Sequence, residues 1–62
     1  RLNAAMARLP YEQREVIVLN LQGKMRFTQI AKATNVSANT IRSRYRYGLK
    51  KLRSLLNSEV TK

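Results

Sequence analysis

The stretch Ile30-Ala31-Lys32-Ala33-Thr34-Asn35-Val36-Ser37-Ala38-Asn39-Thr40-Ile41 decides how this chain is read. Phe27, Ile30, Ala31 and Thr34 share one face of a short helix at i, i+3, i+4, i+7 spacing. Asn35 follows, a residue that tolerates left-handed backbone better than most, and Val36 comes next as an apolar plug. Ser37 is a good N-cap for what comes after. From Ala38 to about Asn57 a longer helical pattern runs, with Ile41, Tyr45, Leu49, Leu52 and Leu56 as its apolar stripe. Two helices joined by such a short turn form a helix-turn-helix. Ala31 is small because the second helix crosses close to it, and Ile30, Val36 and Ile41 make the small core that fixes the crossing angle.

Upstream, Leu2, Ala5, Met6 and Leu9 share one side of a short first helix. The chain's single Pro and two Gly are read as helix punctuation. Pro10 favours the first turn of a second helix, and Gly23 closes that helix as its C-terminal cap. Glu12 and Glu15 stand near its start, where acids interact well with the helix dipole. The competing reading is a strand through Val16, Ile17 and Val18, whose β-branched side chains favour sheets. No second strand exists for it to pair with. The expected fold is therefore all-α, a small four-helix domain over residues 1–57 with a frayed tail over 58–62 and no internal repeat.

Composition narrows the chemistry. The 62 residues include 44% hydrophobic ones, enough for a domain that buries only about 60% of the surface its unfolded chain exposes. There is no Cys and no His, which removes disulfides, thiolate nucleophiles, zinc sites and imidazole bases. The only carboxylates are Glu12, Glu15 and Glu59. The chain is thus expected to be no enzyme, with no cofactor, no metal and no small-molecule substrate. An uninterrupted apolar run such as Val16 to Leu19 is four residues long, too short to span a membrane or to form a signal peptide. The chain begins at Arg1 without an initiator Met, as a piece of a longer protein would. A cytoplasmic setting is the default.

Charge then points to a partner. Thirteen Lys and Arg face 3 Asp and Glu, a formal net charge of +10, and nine of the 13 basic residues lie between Glu15 and Glu59. Along the last helix Asn39, Arg42, Ser43, Arg46, Lys50 and Arg53 fall on one broad face, away from Ile41 and Leu52. A solvated surface face usually interleaves acids at i,i+4. None stands here, so self-repulsion is uncompensated and a polyanion partner accounts for the pattern better. A membrane-active helix commonly carries Trp or several Phe, whereas this chain has no Trp and one Phe. A capped turn and a preceding helix fit double-stranded DNA.

In helix-turn-helix geometry the second helix presents its first turns to the major groove. Arg bonds guanine in a bidentate way and Asn does so with adenine, which makes Asn39, Arg42 and Arg46 the candidate base readers. Ser37, Ala38, Thr40, Ser43, Arg44, Lys50, Lys24, Arg26 and Lys32 are candidate groove or phosphate contacts. Tyr45 is expected in the core and Tyr47 partly exposed, with single-strand stacking on these tyrosines the weaker reading.

Leu9, Pro10, Gln13-Arg14-Glu15-Val16, Ile30-Ala31, Val36-Ser37, Thr40 and Arg42-Ser43-Arg44 running into Leu49-Lys50-Lys51-Leu52-Arg53 resemble region 4 of the bacterial sigma-70 family. The group most resembled is that of extracytoplasmic-function (ECF) sigma factors. The resemblance covers about residues 2 to 54 and implies a winged-helix-like architecture with no wing. It also implies recognition of the −35 promoter element by the second helix, docking on the β-flap of RNA polymerase, and control by an anti-sigma factor. A preceding region 2 would open the −10 element. Arg26 stands where the family usually has Ser, so the third helix lacks its ordinary cap unless Thr28 substitutes. The family also commonly has Glu near Thr28 and Gln29, and Gly at Asn35. The nearest rival within DNA binding is the LuxR-type output domain, which also places an Ile-Ala pair before a Ser-capped reading helix. A rival of another class is a protein-interaction module whose basic helix docks on an acidic partner.

Overall fold

The computed structural model describes residues 2–60, with the side chains of residues 3–57. Its helices are α1 (Leu2–Ala7), α2 (Tyr11–Leu21), α3 (Phe27–Thr34) and α4 (Ala38–Val60). The all-α expectation holds, and Val16 to Val18 lie inside α2. The β-branched preference of these three residues yields to packing, because Val16 and Ile17 are buried against other helices. The expected side chain of Leu2 in the first helix lies outside the described residues, as do residues 61 and 62 of the expected tail. Helix α4 runs to Val60, past the expected end near Asn57.

Two apolar clusters hold the helices together, and α4 contributes to both. Ala5, Leu9, Ile17 and Leu52 form the first, with Met6, Leu49, Leu55 and Leu56 packed around them. Val16, Ile30 and Ile41 form the second, flanked by Leu19, Met25, Phe27, Ala31 and Val36. Adjacent residues of α2, Val16 and Ile17, thus supply one cluster each. Tyr45 packs against both, its ring 5.0 Å from that of Phe27 at a tilt of 57°. Tilted rings at this separation suit the aromatic quadrupole. Full burial of Val16, Ile17, Ile30 and Ile41 contributes about 1.5–3 kcal/mol for each side chain.

The punctuation residues act differently from their sequence reading. Pro10 sits one position before α2, with φ −54° and ψ 146°, and its carbonyl accepts the N–H groups of Gln13 and Arg14 at 3.1 and 3.0 Å. A proline ring fits at that entry because its missing N–H would have had no helical partner. Gly23 is not a left-handed cap, since no glycine has positive φ and Lys24 takes the left-handed conformation instead, at φ 54°. What Gly23 provides is room: a Cβ there would stand 2.7 Å from the Leu19 carbonyl oxygen. Gly48 is no punctuation either. It is buried in the middle of α4, where α2 passes over it at Gln13 and Ile17.

Candidate nucleic-acid interface

The turn between α3 and α4 is set by backbone chemistry. Asn35 adopts φ 59° and ψ 42°, its N–H donates to the Lys32 carbonyl at 3.4 Å, and the Val36 N–H donates to the Ala31 carbonyl at 3.0 Å. These two bonds close a Schellman ending, which satisfies carbonyls that α3 leaves over and reverses the chain within three residues. Val36 then packs on the second cluster, the plug its apolar side chain implied. Ser37 caps α4: its Oγ accepts the Thr40 N–H at 3.2 Å and its hydroxyl donates to Thr40 Oγ1 at 2.9 Å. The N–H groups of Ala38 and Asn39 have no acceptor within the helix, because the first turn of any α-helix leaves its donors over. They add partial positive charge to the start of α4.

The start of α3 departs from the expected cap. Arg26 occupies the N-cap position, and a guanidinium has no acceptor with which to cap a backbone N–H. Thr28 does not replace it; the Arg26 N–H donates to Gln29 Oε1 at 2.8 Å. Gln29 therefore supplies the returning half of a capping box, and Arg26 keeps its charge exposed.

Along α4, Asn39, Arg42, Arg46, Lys50 and Arg53 are exposed, while Ile41 and Leu52 on the opposite side are buried. Arg42 Nη1 donates to Asn39 Oδ1 at 2.9 Å, joining two of the three candidate base readers. Arg46 lies over the Tyr47 ring at 6.0 Å, a cation–π contact on a tyrosine that is 57% exposed. Ser43 is half-buried beside this face, and Ala38 and Thr40 are half-buried at its start. Arg44 is not brought onto the face, since it projects roughly 160° round the helix from Arg46 and is half-buried. Lys24, Arg26 and Lys32 are exposed on the connector and on α3, and Ser37 is exposed in the turn.

The opposite side of the molecule differs in chemistry. A shallow apolar groove of about 160 Å³ lies between α1, α2 and α4, lined chiefly by Met6, Ile17, Val18, Leu21 and Leu52. Leu21 at its edge is 57% exposed. Arg14, also on the lining, donates to the Ala7 carbonyl at 3.3 Å and so covers the end of α1. Sequence reasoning missed this groove, the Asn39–Arg42 bond and the Gln29 cap. Asn and Arg at i and i+3 on one helix are neighbours, which was the available signal for the second.

Among the described residues, no group of His, Cys, Asp and Glu side chains is able to hold a metal ion, and no helix is long and apolar enough to cross a membrane. Glu15 is engaged with Tyr11, whose hydroxyl donates to its Oε2 at 3.0 Å. That bond and the Glu15 charge raise the Tyr11 phenol above its ordinary value of 10.0.

Comparison with curated proteins and with solved structures finds no match. The sequence model of the family described as "Sigma-70, region 4" matches residues 1–52, from α1 through the capped turn and the cationic face to Leu52. A short-turned pair of helices with a basic outer face on the second is what a non-enzymatic DNA-binding domain of transcription initiation requires, and by that match the chain belongs to the sigma-70 region 4 family.

Proposed function

We propose that this domain recognises the −35 promoter element as region 4 of an ECF-type sigma factor and docks on RNA polymerase to direct transcription initiation in the cytoplasm. One observation carries the reading: the Ser37-capped start of α4 exposes Asn39, Arg42 and Arg46 on one side while Ile41 behind them is buried. A reading helix held this way enters the major groove with its first turns. Asn39, Arg42 and Arg46 read base edges there. Ser37, Ala38, Thr40, Ser43 and Lys50, with Lys24, Arg26 and Lys32, hold the flanking sugar-phosphate backbone, aided by the free N–H groups at the start of α4. Arg44, roughly 160° round the helix from Arg46, is left out of this contact.

The groove beside Leu21 supports a second contact. Its apolar floor suits the β-flap of the polymerase, a surface an anti-sigma factor would also cover to keep the factor idle. This leaves the cationic face free for promoter DNA.

Duplex binding across a salt series tests the proposal. With about six phosphates neutralised, log K falls against log salt with a slope of about −5. A chain with no affinity for duplex at low salt would instead be a module for an acidic protein partner. Transcription by core polymerase with the full-length parent protein, scanning upstream positions, then identifies the required element.

A further inference from the structure

We propose that Tyr47 is a positioning residue for base recognition: its ring holds the Arg46 guanidinium ready to bond guanine, and Tyr47 itself reads no base. The inference rests on the DNA-binding reading of this face. Its basis is the Arg46 guanidinium carbon, 6.0 Å from the centre of the Tyr47 ring. Tyr47 takes no part in holding the helices together, since it is 57% exposed and belongs to neither apolar cluster. Following Arg46 in the chain, it projects about 100° further round α4, on the flank of the cationic face and not at its centre.

The arginines of this chain differ in what their donors already do. Arg42 spends an N–H on Asn39, and Arg14, though it too lies over a tyrosine ring, spends one on the Ala7 carbonyl. Arg46 makes no hydrogen bond or ion pair with the described residues. Attraction to a ring draws on the cation's charge and consumes no N–H, so the donor fork of Arg46 stays available for N7 and O6 of guanine. No acidic residue between Glu15 and Glu59 draws the guanidinium off the ring along its helix. A long side chain loses rotamer freedom when it docks on a base, and one already resting on a ring has less to lose. The contact also strengthens as water leaves the groove.

Binding titrations in a double-mutant cycle test this, using the 62-residue chain at low salt, a duplex it selects from a randomised pool, and single-base-pair changes of that duplex. Tyr47→Leu keeps an apolar side chain and removes the ring, whereas Tyr47→Phe keeps the ring and removes the hydroxyl. Both residues of the pair are exposed, and circular dichroism checks that each variant keeps its helices. Arg46→Ala relaxes one base pair, which carries guanine in the selected duplex. Tyr47→Leu lowers discrimination at that same base pair by roughly three- to tenfold, and Tyr47→Phe retains it. In an Arg46→Ala background, Tyr47→Leu changes discrimination no further. A Tyr47→Leu variant that discriminates as the wild type does, or an Arg46→Ala variant that relaxes no position, overturns the positioning role while DNA binding stands. So does a Tyr47→Phe variant that behaves like Tyr47→Leu, or a loss that persists without Arg46, since either makes Tyr47 a direct DNA contact. A wild-type chain that enriches no sequence overturns the DNA-reading role of this face and the positioning role with it.

Discussion

Gly48 of α4 faces Ile17 of α2 so closely that a Cβ on the glycine would stand 2.8 Å from Ile17 Cδ1 and 3.2 Å from Gln13 Cβ. Ile17 is 1% exposed and packed in the first apolar cluster with Ala5, Leu9 and Leu52. The glycine therefore sets how near the two helices come. In an isolated helix, Ala in place of Gly would add about 1 kcal/mol of stability.

Replacing Gly48 by Leu should lower unfolding stability by about 1–3 kcal/mol, since added methylenes in a packed crossing force side chains and backbone apart. Gly48→Ala should fall between, its helix preference offset by the contact with Gln13 Cβ. Urea denaturation followed by circular dichroism measures both. A Gly48→Leu variant as stable as the wild type would mean that the helices do not meet there.

Lys24 and Asn35 both hold positive φ, at 54° and 59°, but they are not equally suited to it. Left-handed backbone costs an ordinary L-residue about 1–2 kcal/mol, while Asn bears it more easily. Lys24→Gly should raise the melting temperature and Asn35→Gly should raise it less. Asn35→Val should lower it, by about 1–2 kcal/mol in stability. Equal gains from the two glycine variants would contradict the ranking.

Arg46→Ala should weaken binding to the preferred promoter sequence by about 1–3 kcal/mol and relax preference at one position. Affinity for random duplex should change far less. Titrations on the two DNAs give the comparison, and an equal loss on both would make Arg46 a phosphate contact.

The Tyr11 phenol titrates above 10.0 because Glu15 accepts its proton in a hydrogen bond and its charge opposes a phenolate. Ionisation therefore breaks a native contact, and any stability it carries is present at lower pH and lost as pH rises through the raised pKa. In Glu15→Gln the charge is gone and the Tyr11 titration should move back down. Ring chemical shifts of Tyr11 followed by NMR show the direction, and an unmoved midpoint would remove Glu15 as the cause.

How much of this was legible in the residues depends on the range of the forces involved. Asn35, Val36 and Ser37 were readable because caps and turns are decided within a few residues, and Phe27–Thr34 emerged with its expected bounds. The stripe from Ile41 to Leu56 was readable because one long helix repeats its signal. Gly23 and Gly48 were misread, since their task is to let another backbone or side chain approach, and a single sequence does not show what approaches. Gln29 was passed over for Thr28 because a glutamine reaching back to the cap is only the second half of a familiar pair. The candidate readers lie on the expected face, but their mutual bond depends on which rotamers an otherwise unpaired arginine adopts, and Arg44 was grouped by charge when helical phase sets it apart.

Helix α4 carries Arg46 toward the cationic face and Leu52 toward the groove, as parts of one unbroken rod. Six residues separate them, about 9 Å of rise along the axis. The helix thus works as a ruler and a compass together. Inserting one residue between them would shift one surface against the other by about 1.5 Å and turn it through about 100°. Whatever grips the groove then inherits a fixed bearing on whatever lies against the arginines, without a hinge anywhere to correct it.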